Sequence, residues 1–569
     1  MKERRQLVSN RDLILLALIM LGFVLLAARA AHLQVFFSAD LQAAGSERYA
    51  RNELINPNRG VITDRRGETL ALSTAVDSAW ADPGILVRHP ERLDELAAAL
   101  DLPDSALKNN LERYAGQNRQ FMYLRRHLTS QRSSQLSELN VPGVSLKREY
   151  RRFYPHGPIT ASLLGVTDID DQGIEGIEFT RDAQLKGKPG TKKVIKDRRG
   201  RTVEFLHETR VEDGIDLRLS IDARIQQLVY KELLAVLTKE RAAHATSVVV
   251  HIPTGEILAI ATAPSFNPNL NSDWTVKRNQ AASDVFEPGS IAKPFLVAKA
   301  LMQGIVTPKT VIDTSPGFMH IDGYMVEDIR NYGPLSVEDI LKKSSNIGMI
   351  KMALQLDPNE LTKFYRNVGF GTRTASGLPG DVAGLVPTRN RWSVSEQATL
   401  SYGYGFAVNA LQIVQAYAAI ANEGVLVPIV IFPDDERTQP RRVMPQDIAV
   451  EMKRMLERAV TPTGTARRAK IPLYRVAGKT ATVQKLIDGE YSSEQHIAMF
   501  VGFAPASKPE LAAVVIVDDP KGKINYGGVV AAPVFRKIVS SALRILNVSP
   551  DDLETTAIEV ATVPHKARS

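Results

Sequence analysis

The chain has 569 residues, of which 44% are hydrophobic and 24% charged, with a net charge of +8. That length exceeds one ordinary domain and calls for about two to four, of normal globular composition and with ample core. No cysteine is present and the ten histidines are scattered, which excludes disulfides, thiolate catalysis and Cys-based metal sites and leaves no His pair at metal-ligand spacing.

Basic residues recur at Arg125-Arg126, Lys147-Arg148, Arg151-Arg152 and from Lys186 to Arg201. An anionic partner is compatible with this charge, but aromatic residues do not interleave with the cations, so nucleic acid is disfavoured.

Lys2, Arg4, Arg5 and Arg11 precede an uncharged run, Leu13 to Ala28, rich in Leu, Ile and Val. Continuing past Arg29 to Val35 supplies the roughly 20 residues that a spanning helix needs, with Arg29 snorkelling at the outer interface. The positive-inside rule places residues 1–12 in the cytoplasm, 13–35 in the membrane and the bulk of the chain outside the cytoplasm. The rival reading is a cleaved signal peptide; Arg29 inside the small-residue stretch, and the apolar continuation after it, argue against cleavage.

Arg59 to Gly67 reads as a strand ending in a charged turn. Residues 91–140 read as short amphipathic helices, with Ser130 to Leu139 at helical spacing. Arg151 to Arg201, rich in Gly, Pro and charge, predicts extended, irregular structure. The pattern changes near Gly214: Ile215 to Ser220 alternates like a strand and Ile221 to Leu237 follows as a helix, so a domain boundary falls at about residue 210. Ser247 to Ile252 and Ile257 to Thr262 flank Pro253-Thr254-Gly255 as a hairpin. Arg475 to Val483, His496 to Phe503 and Leu511 to Val517 predict further strands, and Val534 to Leu546 a closing helix. Pro433 to Arg442 reads as a mobile loop, and the tail after Ser549 as frayed. The predicted class is multi-domain α/β: one N-terminal transmembrane helix, an elongated α+β pedestal (36–210), a domain with an antiparallel sheet sandwiched by helices (211–548), and a flexible tail (549–569).

Three motifs in the second half carry chemistry. Ser290-Ile291-Ala292-Lys293 follows the breakers Pro288-Gly289 and opens a helical run, placing Ser290 where helix N–H groups favour developing negative charge and Lys293 one turn away. A serine hydroxyl needs a base, and a buried lysine with a lowered pKa is one. Ser344 can relay a proton, and Asn346 can hold a substrate amide. Lys479-Thr480-Ala481-Thr482 lies on a strand: Lys479 offers a charge for a carboxylate, and Thr480 and Thr482 put hydroxyls on one face. The N–H groups of Ser290 and Thr482 can form an oxyanion hole. Each motif is weak alone. Ser105-Ala106-Leu107-Lys108, Ser265-Phe266-Asn267 and Lys309-Thr310 imitate them, and Ser344-Ser345-Asn346 reads equally well as a helix cap. Order and spacing within one domain single out the three.

These residues resemble the serine penicillin-recognising enzymes, whose Ser-x-x-Lys and Lys-Thr-Gly boxes are a known set. Arg59 to Gly67, Trp80-Ala81-Asp82-Pro83, Arg151 to Gly157, Asp170 to Glu178, Tyr402-Gly403-Tyr404-Gly405 and Tyr526-Gly527-Gly528 extend the resemblance along nearly the whole chain to the septal, FtsI-type class B penicillin-binding proteins. The resemblance implies a single-pass protein of the bacterial inner membrane with a periplasmic pedestal (or dimerisation domain) and a D,D-transpeptidase domain. It implies that Ser290 attacks the D-Ala-D-Ala end of a peptidoglycan stem peptide, that β-lactams acylate Ser290, and that no metal or cofactor is required. It implies partners too: a membrane glycosyltransferase and other division proteins. Two positions depart from the family pattern. Ala481 replaces a glycine, and its methyl either narrows the cleft or turns to the far side. Val408-Asn409-Ala410-Leu411-Gln412 stands in place of Val-Thr-Pro-Leu-Gln. A divergent or β-lactam-resistant paralogue, a catalytically weak division scaffold, and a β-lactamase or D,D-carboxypeptidase using the same acylation are the competing readings.

Overall fold

The structure, a computed structural model, describes residues 10–38, 50–196, 202–270 and 278–553. Lys2, Arg4, Arg5, part of the 186–201 stretch and the tail beyond Leu553 lie outside the described residues.

Two compact units make up the chain. The first takes in residues up to 58 and 187–214. Its helix Asn10–Ala31 runs on as a π-helical turn, His32–Phe36. Residues 10–36 are long and apolar enough to cross a membrane, and none of the apolar window is buried. Strands Ala50–Ile55, Gly190–Lys196 and Thr202–Glu208 pair antiparallel into a three-stranded sheet. The sequence predicts irregular chain over part of this sheet; the lysines of Gly190–Lys196 mask its strand character.

The second unit, residues 59–186 and 215–569, holds two five-stranded sheets. In the first, β1 (Ile62–Thr63), β2 (Thr69–Ala81), β3 (Met122–Leu128), β4 (Val144–Phe153) and β5 (Leu217–Arg218) assemble around β2. Strand β2 pairs antiparallel with β1, β3 and β4, and β1 pairs parallel with β5. Helices α1 (Leu93–Leu100), α2 (Asp104–Gly116) and α3 (Ser130–Leu139) bury Leu96, Leu100, Leu107, Leu111 and Leu136 in a shared core. Residues 91–140 are thus not all helical. Only the ends of β3, Met122 and Leu128, are fully buried, and the basic residues between them hide its alternation. From 154 to 186 the chain forms short helical turns and an isolated antiparallel bridge between Thr167 and Gly173. Among them, Glu178 is completely buried and accepts from Arg59 Nε at 2.7 Å and Arg152 Nε at 2.6 Å.

In the second sheet, β6 (His244–His251), β7 (Ile257–Ala263), β8 (Ala477–Ile487), β9 (Glu490–Ala504) and β10 (Leu511–Asp518) lie in the order β7-β6-β10-β9-β8, all antiparallel. The chain's late strands therefore complete a sheet begun by its early hairpin. Helices α4 (Ala223–Glu240) and α9 (Gly527–Ile545) cover one face, α5 (Lys293–Met302) and α8 (Ala410–Ala421) the other. Because both faces are covered, the strands read as unbroken apolar runs: Val248 and Val250 enter the core under α5 and α8, Val249 the core under α4 and α9. Helix α9 starts earlier than the predicted Val534 because Pro533 is accommodated inside it. The predicted mobile loop 433–442 is pinned, since Arg441–Arg442 pairs with Val425–Leu426.

Candidate active site

Ser290 sits in a 3₁₀ turn, Gly289–Ile291, that leads into α5. The turn is fixed from behind. Phe286 and Val408 exchange both backbone hydrogen bonds, Gly289 N–H donates to Gly403 C=O at 2.9 Å, and Tyr417 OH donates to the Ile291 carbonyl at 2.9 Å. Gly289 (φ +54°) and Gly403 (φ +86°) approach so closely that a Cβ on Gly403 would lie 2.0 Å from the Gly289 oxygen. Asn409, at the departure from Val-Thr-Pro-Leu-Gln, is buried and caps α8: its side chain accepts from Gln412 N–H at 2.9 Å and donates to the Ala282 and Val382 carbonyls.

Lys293 is wholly buried beneath Ser290. Its Nζ lies 2.7 Å from Ser344 O, 2.7 Å from Asn346 Oδ1 and 3.2 Å from Ser344 Oγ. Burial pushes its pKa down to about 7, against the opposing pull of Asp328. Among the described residues no hydrogen bond joins Lys293 to Ser290 directly; the connection runs through Ser344, whose Oγ is 3.1 Å from Ser290 Oγ.

Ser344 occupies the break between α6 (Val337–Lys343) and α7 (Asn346–Ala353). Its φ of +64° is a left-handed conformation costly for a residue with a side chain. Ser345 is the N-cap of α7, accepting from Gly348 N–H, so the helix-cap reading and the functional one divide between neighbouring serines. Asn346 has its oxygen engaged by Lys293 and its Nδ2 donating to Glu327 O at 2.8 Å. The amide thus holds the lysine from the wall of the cleft.

The third motif lies on β8, an edge strand. Lys479 is buried, not cleft-facing; its Nζ donates to Ser344 Oγ at 2.9 Å and to Thr480 O at 3.1 Å. Burial, and then the neighbouring Lys293, push its pKa far down. Lys479 therefore reaches the cleft through Ser344 Oγ, not through an exposed amine. Thr480 O accepts from this amine, so it points to the unpaired edge. In an extended strand N–H and C=O of one residue share an edge and the pattern repeats at alternate residues, so Thr482 N–H points to the same edge. Thr480 and Thr482 share a face, with Thr480 Oγ1 3.3 Å from Thr465 Oγ1 and Thr482 Oγ1 accepting from Gly527 N–H at 3.0 Å. Ala481 projects the opposite way. It is 3% exposed, in the core under α5 and α8, and of the two alternatives for its methyl the far side is the one realised.

Ser290, Asn346 and Thr482 border two adjoining cavities of about 770 and 360 Å³. The larger is walled by Tyr402, Tyr404 and Tyr491, with the Tyr404 and Tyr491 rings 5.5 Å apart. The sequence reading missed Glu287, which burial makes a weaker acid and which accepts from Gly405 N–H and Tyr491 OH. It also missed Asp328, which accepts from Ser345 Oγ and Asn346 N–H; neither residue carries a local signal. Of the look-alikes, Lys108 lies on α2 and pairs with Asp94 on the surface.

The chain matches the family models for the penicillin-binding protein transpeptidase domain over residues 245–540 and the penicillin-binding protein dimerisation domain over residues 54–219. It is 40% identical to the peptidoglycan D,D-transpeptidase FtsI of Escherichia coli (strain K12), covering 97% of this chain and 95% of that one. It is 36% identical to the probable peptidoglycan D,D-transpeptidase PenA of Neisseria gonorrhoeae, covering 94% and 92%. Among solved structures, penicillin binding protein 3 of Mycobacterium tuberculosis in complex with aztreonam aligns with a TM-score of 0.67 at 26% identity, over 88% of this chain and 98% of that one. The transpeptidase domain of Burkholderia pseudomallei penicillin-binding protein 3 aligns with a TM-score of 0.54 at 39% identity, over 58% and 97%.

Proposed function

The chain belongs to the class B penicillin-binding proteins, and from that premise we propose how it works: it is a serine-type peptidoglycan D,D-transpeptidase of the division septum, open to β-lactams, with Ser290 as nucleophile. The observation that carries this reading is the single hydrogen-bonded chain from Ser290 Oγ through Ser344 Oγ to Lys293 Nζ.

Neutral Lys293 has two N–H groups and one lone pair. The two oxygens at 2.7 Å, Ser344 O and Asn346 Oδ1, take the N–H groups, which turns the lone pair toward the Ser344 hydroxyl. Ser290 Oγ attacks the carbonyl of D-Ala-D-Ala while its proton passes to Ser344 and the Ser344 proton to Lys293. Lys479 donates to Ser344 Oγ and stabilises negative charge there during transfer. The N–H groups of Ser290 and Thr482 receive the oxyanion, at about 3 kcal/mol per donor. The intermediate collapses, the C–N bond breaks, and the terminal D-Ala amine leaves with a proton returned along the same chain. A neighbouring stem peptide's amine then attacks the ester and forms the cross-link. Thr480 and Thr482 orient the substrate beside β8.

Residues 13–35 anchor the protein in the inner membrane, with 1–12 in the cytoplasm and the 36–210 pedestal and the catalytic domain, 211–548, in the periplasm. The anchor and pedestal meet a membrane glycosyltransferase and other division proteins.

Full-length protein in detergent, labelled with fluorescent penicillin, tests the nucleophile: the parent is expected to label covalently and Ser290→Ala not to. Donor peptide with an amine acceptor then separates reaction classes. A cross-linked product supports transpeptidation; release of D-Ala into water alone makes the protein a carboxypeptidase.

A further inference from the structure

A third cavity, of about 180 Å³, shares no lining residue with the two beside Ser290. Strands β6, β8 and β10 give it His244, Lys485 and Asp518, and the segment that leads to the nucleophile gives it Gln280 and Asp284. Val285, Phe286, Ile497 and Ile516 make its apolar surface. His244 and Asp518 are direct partners across the β6–β10 pairing, so their side chains leave the sheet on one face.

The polar groups carry both signs of charge and keep bonding capacity in hand. Lys485 Nζ donates to Asp518 Oδ2 at 2.9 Å, and an ammonium has two further N–H groups. Arg278 and the Ser283 hydroxyl both meet Asp284 at Oδ1, each at 3.0 Å, which leaves its Oδ2. His244 Nδ1 is buried with no hydrogen-bond partner among the described residues, a state that costs free energy until something meets it.

We propose that this cavity binds a small free amino acid as its zwitterion, and that the D-alanine released by the reaction is the one it takes. Only the source of the ligand rests on the transpeptidase reading above. Lys485 meets the carboxylate and Asp284 the ammonium through charge-assisted hydrogen bonds, and His244 and Gln280 add neutral partners. The methyl lies against Phe286 and Ile497. A purely anionic or cationic ligand would answer only one of the two charges. The volume is several times a water molecule's share of the liquid, but less than a quarter of the tyrosine-walled cavity, so an amino acid fits and a stem peptide does not. Phe286, whose backbone pairs with Val408 to fix the turn of Ser290, forms one wall. The ligand thus touches the segment that holds the nucleophile.

Full-length protein in detergent is first acylated with penicillin, which blocks the cleft, and D-alanine binding is then followed by saturation-transfer NMR. D-alanine is expected to bind the acylated protein. Propionate, which lacks the ammonium, and ethylamine, which lacks the carboxylate, are expected to bind about tenfold more weakly or worse, the worth of a hydrogen bond to a charged group. Lys485→Gln and Asp284→Asn are each expected to weaken D-alanine about tenfold while penicillin labelling, which reports an intact domain, persists. The single-charge probes are read on the parent and decide the matter should either substitution unfold the domain. Loss of D-alanine binding on acylation, equal binding of the single-charge probes, or binding that neither folded variant weakens overturns the site. L-alanine binding tighter than D-alanine overturns the product assignment. A parent that penicillin does not label counts against the transpeptidase reading alone, and the same probes and variants then decide the site on the unacylated protein.

Discussion

Lys293 and Lys479, one on a helix and one on an edge strand, converge on a single oxygen: their amines lie 3.2 and 2.9 Å from Ser344 Oγ. Burial disfavours charge on both, and a charge on either disfavours charge on the other. The hydroxyl between them is the only hydrogen-bonded link from Lys293 to the nucleophile among the described residues. Ser344→Ala is therefore expected to cut the acylation rate about 10²- to 10⁴-fold, the range of general acid–base contributions, with thermal unfolding little changed. An acylation rate within threefold of the parent would remove Ser344 from the relay.

The pH dependence follows from Lys293. Its pKa falls from 10.5 to about 7 in the fold, so the lone pair becomes available as pH rises through about 7. Acylation by penicillin is expected to climb with pH below that point, about tenfold per unit, and to level above it. Stability moves in the same direction. Between about 7 and 10.5 the unfolded chain holds a proton that the folded one lacks, so this lysine's contribution to stability improves as pH rises through that window. Lys293→Arg, which stays charged, is expected to abolish the acylation limb at all pH values tested by stopped-flow labelling.

Ala481→Gly is expected to leave penicillin acylation within about threefold and to lower stability by about 1 kcal/mol, the usual cost of glycine inside a strand. The methyl faces the core rather than the cleft, so removing it loses packing without widening the site. A large gain in acylation with unchanged urea unfolding would show that the methyl obstructs substrate.

Gly403→Ala is expected to abolish labelling. Its added Cβ would meet the Gly289 carbonyl oxygen at 2.0 Å, and that carbonyl belongs to the turn carrying Ser290. A shift of about 1 Å in a nucleophile costs about 10²-fold. Far-ultraviolet circular dichroism should stay native while labelling disappears.

Glu178→Ala leaves Arg59 and Arg152 buried without their shared carboxylate. Removing one partner of a buried ion pair costs about 3–5 kcal/mol, so limited proteolysis is expected to cut the 59–186 region faster than in the parent. An unchanged proteolysis pattern would mean that these arginines find other partners.

The second sheet was legible because its strands are covered on both faces and read as apolar runs bounded by turns; Ser247 to Ile252 and Leu511 to Val517 needed no tertiary knowledge. Strand β3 was not, since Arg125, Arg126 and His127 fill its middle and only packing reveals their half-buried state. In the site, Ser290, Lys293 and Ser344 were legible as types of chemistry at the right order and spacing. Their wiring was not. Lys479 read only as a cation for a substrate carboxylate because nothing local says that its side chain turns under Ser344, and Asn346 read only as a substrate ligand because nothing local says that Lys293 takes its oxygen. Glu287 and Asp328 are recognisable only by what folds against them.

The sheet order has a consequence for how the protein comes into being. Strand β6 lies between β7, its neighbour in sequence, and β10, which begins at Leu511, so the central pairing joins segments more than two hundred and fifty residues apart. Such distant contacts are slow to form. Lys479 reaches Ser344 only once that pairing has seated β9 and β8. A chain still emerging, or cut short before the last strand, thus holds its serine without the partners that activate it: reactivity toward a β-lactam is acquired at the end of maturation and reports on its completion.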